Sequence, residues 1–256
     1  MAEEVQDPLD QLLRPGGLTL LLQPIIDLRP QGQLLHGVEC MARGPEGSAL
    51  GDPRALGEAV RRRGAEAEAD RLCVAQALHA AAELPEVPRF SLNVHARTLV
   101  AHPTFTGFLL DGLRRYGLAP SRITLDVARS RSFGAPLYEV LDGLRGVGLS
   151  IAIDEVGVTT TDYERLVECR PDYLKVDRSF VRRDPPDYLR DLMLESVSRL
   201  ARGMGAQAVA QGVESLDELD AAMAHGVNLV QGKFFGEPMT LQALRQSGVL
   251  SGRHAA

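Results

Sequence analysis

Eight short apolar runs alternate with longer segments of helical period, in a chain of 256 residues, and this predicts a single TIM-like (β/α)8 barrel with an antiparallel first strand. The alternation is the signature of βα units closing a mainly parallel sheet. The length suits one such barrel and is enough to bury a sizeable core. No linker or low-complexity block marks a second domain. The expected organisation is an N-terminal extension over 1–17, the barrel over 18–248 and a short C-terminal tail over 249–256, and only residues 1–16 and 251–256 look dispensable.

The first expected strand, Leu18–Leu28, is followed by Gln31-Gly32-Gln33 and then by a second apolar run, Gly37–Ala42. That is hairpin spacing with no room for a helix, so these two strands are expected to be antiparallel. Helical periodicity then covers Pro53–Arg63 and Ala65–Glu83 before the strand Phe90–Val94. Pro103–Tyr116 leads to the strand Ile123–Val127, Pro136–Val147 to Leu149–Ile153, and a short strand follows at Tyr173–Val176. Tyr188–Met204 precedes Gln207–Ala210, Leu216–His225 precedes Leu229–Phe235, and Leu241–Ser247 closes the chain. Gly117, Gly148, Gly205 and Gly226 each follow a helix, where a left-handed cap is wanted.

Composition excludes several functions. The net charge of −6, the absence of Trp and an aromatic content of 5% argue against a basic or stacking surface for a nucleic-acid polymer. Cys40, Cys73 and Cys169 are odd in number and widely spaced, which suits a reducing compartment and neither a disulfide framework nor a zinc site. The first residues are acidic where a signal peptide is basic, and no apolar run approaches the roughly 20 residues of a membrane span. The cytoplasm is the expected location.

The ends of the strands carry the functional signal. Glu39, Asn93, Asp126, Asp154 with Glu155, Lys175, Gln211 and Gln231 stand where apolar runs surface, and in a barrel those positions converge on one face. Adjacent carboxylates at the end of a largely apolar strand are costly unless a cation, a proton or hydrogen bonds compensate them. An oxygen-rich set without His or Cys suits Mg²⁺, Mn²⁺ or Ca²⁺. Arg43 offers a bidentate phosphate contact. Together these features point to two-metal phosphodiester chemistry. The six histidines show no ligand spacing and read as ordinary surface or core residues, and Arg61-Arg62-Arg63 as a solvated helix end.

At these residues the chain resembles the EAL domain, a bacterial barrel that hydrolyses cyclic dimeric GMP to the linear dinucleotide pGpG with two divalent metals. The resemblance covers about residues 18–240. It rests on Gln23-Pro24-Ile25-Ile26-Asp27, Gly37-Val38-Glu39 with Arg43, Ser91-Leu92-Asn93-Val94, Asp154-Glu155-Val156-Gly157, Leu174-Lys175-Val176-Asp177, Val209-Ala210-Gln211-Gly212-Val213-Glu214 and Gln231-Gly232-Lys233-Phe234-Phe235-Gly236, all in order. It implies metal ligands at Glu39, Asn93, Asp126, Asp154 and Glu155, catalytic positions at Lys175 and Gln211, and ligand contacts at Gln23, Arg43, Asp177, Glu214 and Gln231. It also implies pairing of two copies through the segment around 163–180.

The departures weigh against hydrolysis. Glu-Ala-Leu reads Glu39-Cys40-Met41, a ligand Glu is Asp126, an Asp pair is Asp154-Glu155, Arg129 replaces an acid, and the Gly-rich loop is Val158-Thr159-Thr160-Thr161. The expected general base is Gln211. An amide cannot take a proton from water, and a positioned base is worth roughly 10²–10⁴ in rate. Mg²⁺ tolerates little change in ligand length. The favoured reading is therefore a degenerate, catalytically inactive member that acts as a cyclic-di-GMP receptor or a protein-interaction module, with no cofactor required. The alternative is a weakly active phosphodiesterase using Mg²⁺ or Mn²⁺. A dimerisation unit is the third. Input is expected from a protein partner or the ligand itself. Arg129, three residues past Asp126, is expected to pair with Glu155 or Asp126 as a built-in cation.

Overall fold

The computed structural model describes residues 7–29, 34–128, 134–156, 163–182 and 188–251. Its centre is a closed barrel of eight strands in chain order: β1 (Thr19–Asp27), β2 (Leu34–Arg43), β3 (Phe90–His95), β4 (Ile123–Ala128), β5 (Ser150–Val156), β6 (Tyr173–Val176), β7 (Gln207–Gln211) and β8 (Leu229–Gln231). β1 is antiparallel to both of its neighbours, β2 and β8, and every other pairing is parallel. The expected reversed strand is present.

Around the sheet run α1 (Pro8–Leu12), α2 (Pro53–Arg63), α3 (Glu66–Glu83), α4 (Ala96–Ala101), α5 (Thr104–Tyr116), α6 (Ala135–Val147), α7 (Tyr163–Cys169), α8 (Arg178–Val181), α9 (Tyr188–Gly203), α10 (Leu216–Ala224) and α11 (Leu241–Gln246). Local chemistry sets their ends. Asp52 accepts hydrogen bonds from the amides of Arg54 and Ala55 to start α2, and a reciprocal capping box of Ser215 with Glu218 starts α10. Gly117 (φ 63°) and Gly148 (φ 104°) close α5 and α6 in the left-handed conformation expected of them.

Burial divides into layers. The outward faces of the strands and the inner faces of the helices form the main core, which includes Leu78, Phe90, Phe105, Leu125, Leu141 and Leu174. Inside the barrel a small cluster of Ile25, Ala152, Tyr173, Val209 and Leu229 fills the middle. At the lower end the His36 Nε2 atom lies 3.2 Å from the Tyr173 hydroxyl. A separate cluster unites Leu9, Leu12 and Leu13 with Leu18, Leu56, Val60 and Ala69.

Two expectations are corrected here. Residues 8–13 look dispensable from the sequence, yet Leu9, Leu12 and Leu13 are buried against α2 and α3, and Arg63 reaches Asp7 (3.1 Å) and Asp10. Five helical residues give too short a pattern to read. The last strand, expected to run to Phe235, stops at Gln231 because the chain turns at Gly232. A Cβ there would meet the Val213 carbonyl at 2.0 Å, and Phe235 N–H closes the turn onto the Gly232 carbonyl at 3.1 Å. The described residues contain no helix long and apolar enough to cross a membrane.

Candidate ligand site at the barrel rim

Side chains alternate across a strand, so Lys175, two residues after the inward Tyr173, also points into the barrel. It is 2% exposed. Its Nζ donates to Glu39 Oε2 at 2.9 Å and to Asp126 Oδ2. Asn93 Nδ2 donates to the other Glu39 oxygen at 3.0 Å. Gln231 Nε2 donates to Glu39 Oε2 (2.8 Å) and to Gln23 Oε1 (3.0 Å), and Gln23 Nε2 reaches the Gly236 carbonyl at 3.0 Å. Residues from β1, β2, β3, β4, β6 and β8 thus share one network at the C-terminal ends of the parallel strands.

The electrostatics follow from one ammonium among several acids. Burial disfavours ionisation of Glu39, but Lys175 and the hydrogen bonds from Asn93 and Gln231 outweigh it and hold the carboxyl below its usual range. Burial pushes Asp126 up to about 7, with Asp154 and Glu39 adding to the push against the pull of Lys175. Burial also opposes the charge of Lys175, yet Asp126, Glu39 and Asp154 keep it protonated, well above the ordinary lysine value. The raised acid and the raised base are compatible, because one cation cannot neutralise three carboxylates at once.

Other expected site residues flank this network. Asp154 ends its apolar run half-buried on β5, close enough to act on both Asp126 and Lys175. Gln211 closes β7 in register with Gln231. Asp177 starts α8, its carboxylate accepting from Ser179 N–H at 2.8 Å. Glu214 faces Arg182 at 3.8 Å. The Glu155 side chain and Arg129 lie outside the described residues, as does the loop 157–162.

Arg43 closes β2 beside the network. Its guanidinium donates to its own neighbour, the Ala42 carbonyl (3.0 Å), and contacts Met41 Sδ at 3.6 Å. It meets no carboxylate within ion-pair distance among the described residues, and burial lowers its pKa. It lines a cavity of about 430 Å³ that opens between the ends of β2 and β3 and the helices α2 and α3, and that Glu39 and Asn93 also border.

In that cavity lies a pair the sequence reading passed over. Asp70, on α3 and 3% exposed, accepts from the His95 backbone N–H at 3.0 Å with one oxygen. Its other oxygen lies 2.8 Å from His95 Nδ1. Burial works against the His95 cation, but the Asp70 hydrogen bond and charge raise its pKa overall. His95 reads from the sequence as an ordinary histidine. The usable signal is Asp70, an acid on the buried face of α3 among Ala69, Val74, Ala77 and Leu78, with Glu66 one turn before it.

The expected metal ligands Glu39, Asn93 and Asp126 are engaged with one another and with Lys175 in this arrangement. Both oxygens of Glu39 are engaged and Lys175 occupies the space between Glu39 and Asp126. Among the described residues no three acids, histidines or cysteines come together as a metal site. Two oxygens of the network, Asp126 Oδ1 and Gln231 Oε1, are buried without a hydrogen-bond partner.

Comparison with known proteins gives a consistent picture. The sequence model of the EAL domain matches residues 6–238. The chain is 30% identical over 257 residues to the cyclic di-GMP phosphodiesterase NbdA of Pseudomonas aeruginosa, covering 95% of this chain and 32% of that one. It is 27% identical over 238 residues to the cyclic di-GMP phosphodiesterase PdeF of Escherichia coli K12, covering 91% and 31%. The chain therefore spans about a third of the length of these relatives. Among solved structures, Klebsiella pneumoniae BlrP1 in its manganese and cyclic-di-GMP complex superposes with a TM-score of 0.76 at 27% identity, over 88% of this chain and 57% of that one.

Proposed function

The chain belongs to the EAL domain family, and on that premise we propose that it acts in cyclic-di-GMP signalling by binding the dinucleotide without hydrolysing it. The observation that carries this reading is Arg43, a half-buried guanidinium with no acid partner among the described residues, on the wall of a cavity contiguous with the Lys175 network. A guanidinium in that state is suited to a bidentate phosphate contact. Relatives named as cyclic di-GMP phosphodiesterases, and a structural neighbour solved with that ligand, support the choice of anion.

Loss of turnover is proposed from the chain's own groups. At the position of the family's general base stands Gln211, whose amide accepts no proton near neutral pH. Lys175 bridges Glu39 and Asp126, so part of the rim's negative charge is compensated without a divalent ion. A weak Mg²⁺- or Mn²⁺-dependent phosphodiesterase is the second reading, and Asp126 Oδ1 favours it, being a buried oxygen that a cation would satisfy. A role as a partner-binding module or homodimer is the third.

Calorimetric titration of cyclic di-GMP in EDTA and in Mg²⁺, with product analysis in Mg²⁺ and Mn²⁺, separates these. The expected result is equal affinity in both buffers and negligible pGpG, with Gln211→Glu recovering little. Turnover within about tenfold of an ordinary family enzyme, a barrier difference of about 1.4 kcal/mol, would overturn the binding-only reading. Absence of any binding would favour the partner module.

A further inference from the structure

The cavity beside Arg43 has two kinds of wall. Leu56, Val60, Val74 and Leu92 make an apolar side, while Arg43 and the Asp70–His95 pair make a polar side. Its 430 Å³ falls in the range of small-molecule sites, which combine an apolar slot with a few fixed polar groups.

Asp70 spends both carboxylate oxygens on one residue, the His95 backbone N–H and ring Nδ1. A brace for the turn between β3 and α4 needs only the backbone contact. The second contact fixes the imidazole plane and leaves Nε2 as the ring's remaining polar atom. Among the described residues no hydrogen bond reaches Nε2, and the His95 side chain is 31% exposed on the cavity wall. An aligned imidazole with an open nitrogen, facing an apolar slot next to an anion-binding guanidinium, is an arrangement for reading the edge of a planar ring.

We propose that His95 is a specificity-determining contact of this cavity, with Asp70 its positioning residue, and that Nε2 reads the edge of one purine base of a bound nucleotide whose phosphate lies at Arg43. This deepens the nucleotide-binding reading and rests on it. With Nδ1–H given to the Asp70 carboxylate, Nε2 of the neutral ring is an acceptor, and guanine offers it the N1–H and 2-amino donors where adenine has an unprotonated N1 and no 2-amino group. A nitrogen held in one place and one role favours one of them. No charge change on His95 is needed for this.

The test is calorimetric titration of the full chain with cyclic di-GMP and with its adenine counterpart, for wild type, His95→Ala, His95→Gln and Asp70→Asn. Wild type is expected to prefer the guanine dinucleotide. His95→Ala should weaken it about tenfold, the effect of one good hydrogen bond, and shrink the ratio between the two ligands. His95→Gln, which keeps a polar group at similar reach, should retain part of the ratio. Asp70→Asn should fall between wild type and His95→Ala. A purely structural brace would weaken both ligands alike and leave the ratio unchanged, and that outcome overturns the proposal, as does a wild type that binds both dinucleotides equally. If His95→Ala does not fold, the ratio for His95→Gln decides in the same way. Failure of wild type to bind either dinucleotide removes the nucleotide reading and this proposal together, whereas binding by wild type with an unchanged ratio in the variants removes the proposal alone.

Discussion

Removing the Lys175 ammonium should cost far more than removing an ordinary surface lysine. In Lys175→Met the volume is nearly kept, but Glu39 and Asp126, both essentially inaccessible to solvent, lose their shared cation. Breaking a buried ion pair from one side typically costs about 3–5 kcal/mol, because the remaining charge is left uncompensated. Here one cation serves two carboxylates directly and a third, Asp154, at longer range, so the upper half of that range applies. Against a total stability of roughly 5–15 kcal/mol this is a large fraction. Urea unfolding followed by circular dichroism should show the midpoint falling by more than about 1 M, given slopes of up to about 3 kcal/mol per M. The sign with pH is defined. In the variant the orphaned acids have folded pKa values above their unfolded ones, so the fold takes up protons more readily and regains stability as pH falls from 7 towards 5. Adding Asp126→Asn should recover part of the loss at pH 7. A variant within about 1 kcal/mol of wild type, a loss appropriate to a surface pair, would show that Lys175 is not what balances the rim.

Three further outcomes follow from other parts of the molecule. Arg43→Ala should weaken cyclic di-GMP by more than about 1.5 kcal/mol in calorimetry, the low end for a hydrogen bond to a charged group, and an unchanged affinity would place the phosphate elsewhere. Leu12→Ala should destabilise the fold by about 2–4 kcal/mol, because Leu12 is 4% exposed within the α1–α2 cluster, and a neutral effect in urea unfolding would show that α1 is dispensable after all. His36, whose pKa burial and Arg89 depress to about 4, stays neutral in the fold while the unfolded chain takes its proton below about pH 6.5. Stability should therefore drop by about 2 kcal/mol from this group between pH 7 and pH 5, a slope that His36→Asn should remove and that, if it persisted unchanged in the variant, would have another origin.

The barrel was legible because its strands and long helices repeat at clean periods, and α2 begins and ends where the pattern places it, at Pro53 and Arg63. The short helices α1, α4, α7 and α8 were not, since four to seven residues give one turn or two and little face to detect, although the equally short α11 was read as Leu241–Ser247. The rim residues Glu39, Asn93, Asp126, Lys175 and Gln231 could be named from their strand ends alone. Which of them would be mutually satisfied could not, because that depends on the direction of each side chain across strands distant in sequence. Gln23 shows the difference. It sits mid-strand in β1, and only the antiparallel register that sets it opposite Glu39 brings it to the rim. The Asp70–His95 contact, spanning 25 residues between a helix and a strand end, leaves no periodic trace at all.

The reversal of β1 also fixes where the chain enters the barrel. In an all-parallel barrel the chain enters its first strand at the face opposite the site. Here Thr19, where β1 begins, is paired with Arg43, where β2 ends. The polypeptide therefore arrives at the working face, and the segment just before it, α1 with Leu18, abuts Leu56 and Val60, two residues of the cavity wall. That contact runs through a small cluster distinct from the main core. The packing of α1 and the shape of that cavity wall are therefore set by the same small group of residues, a link that the usual strand direction would not provide.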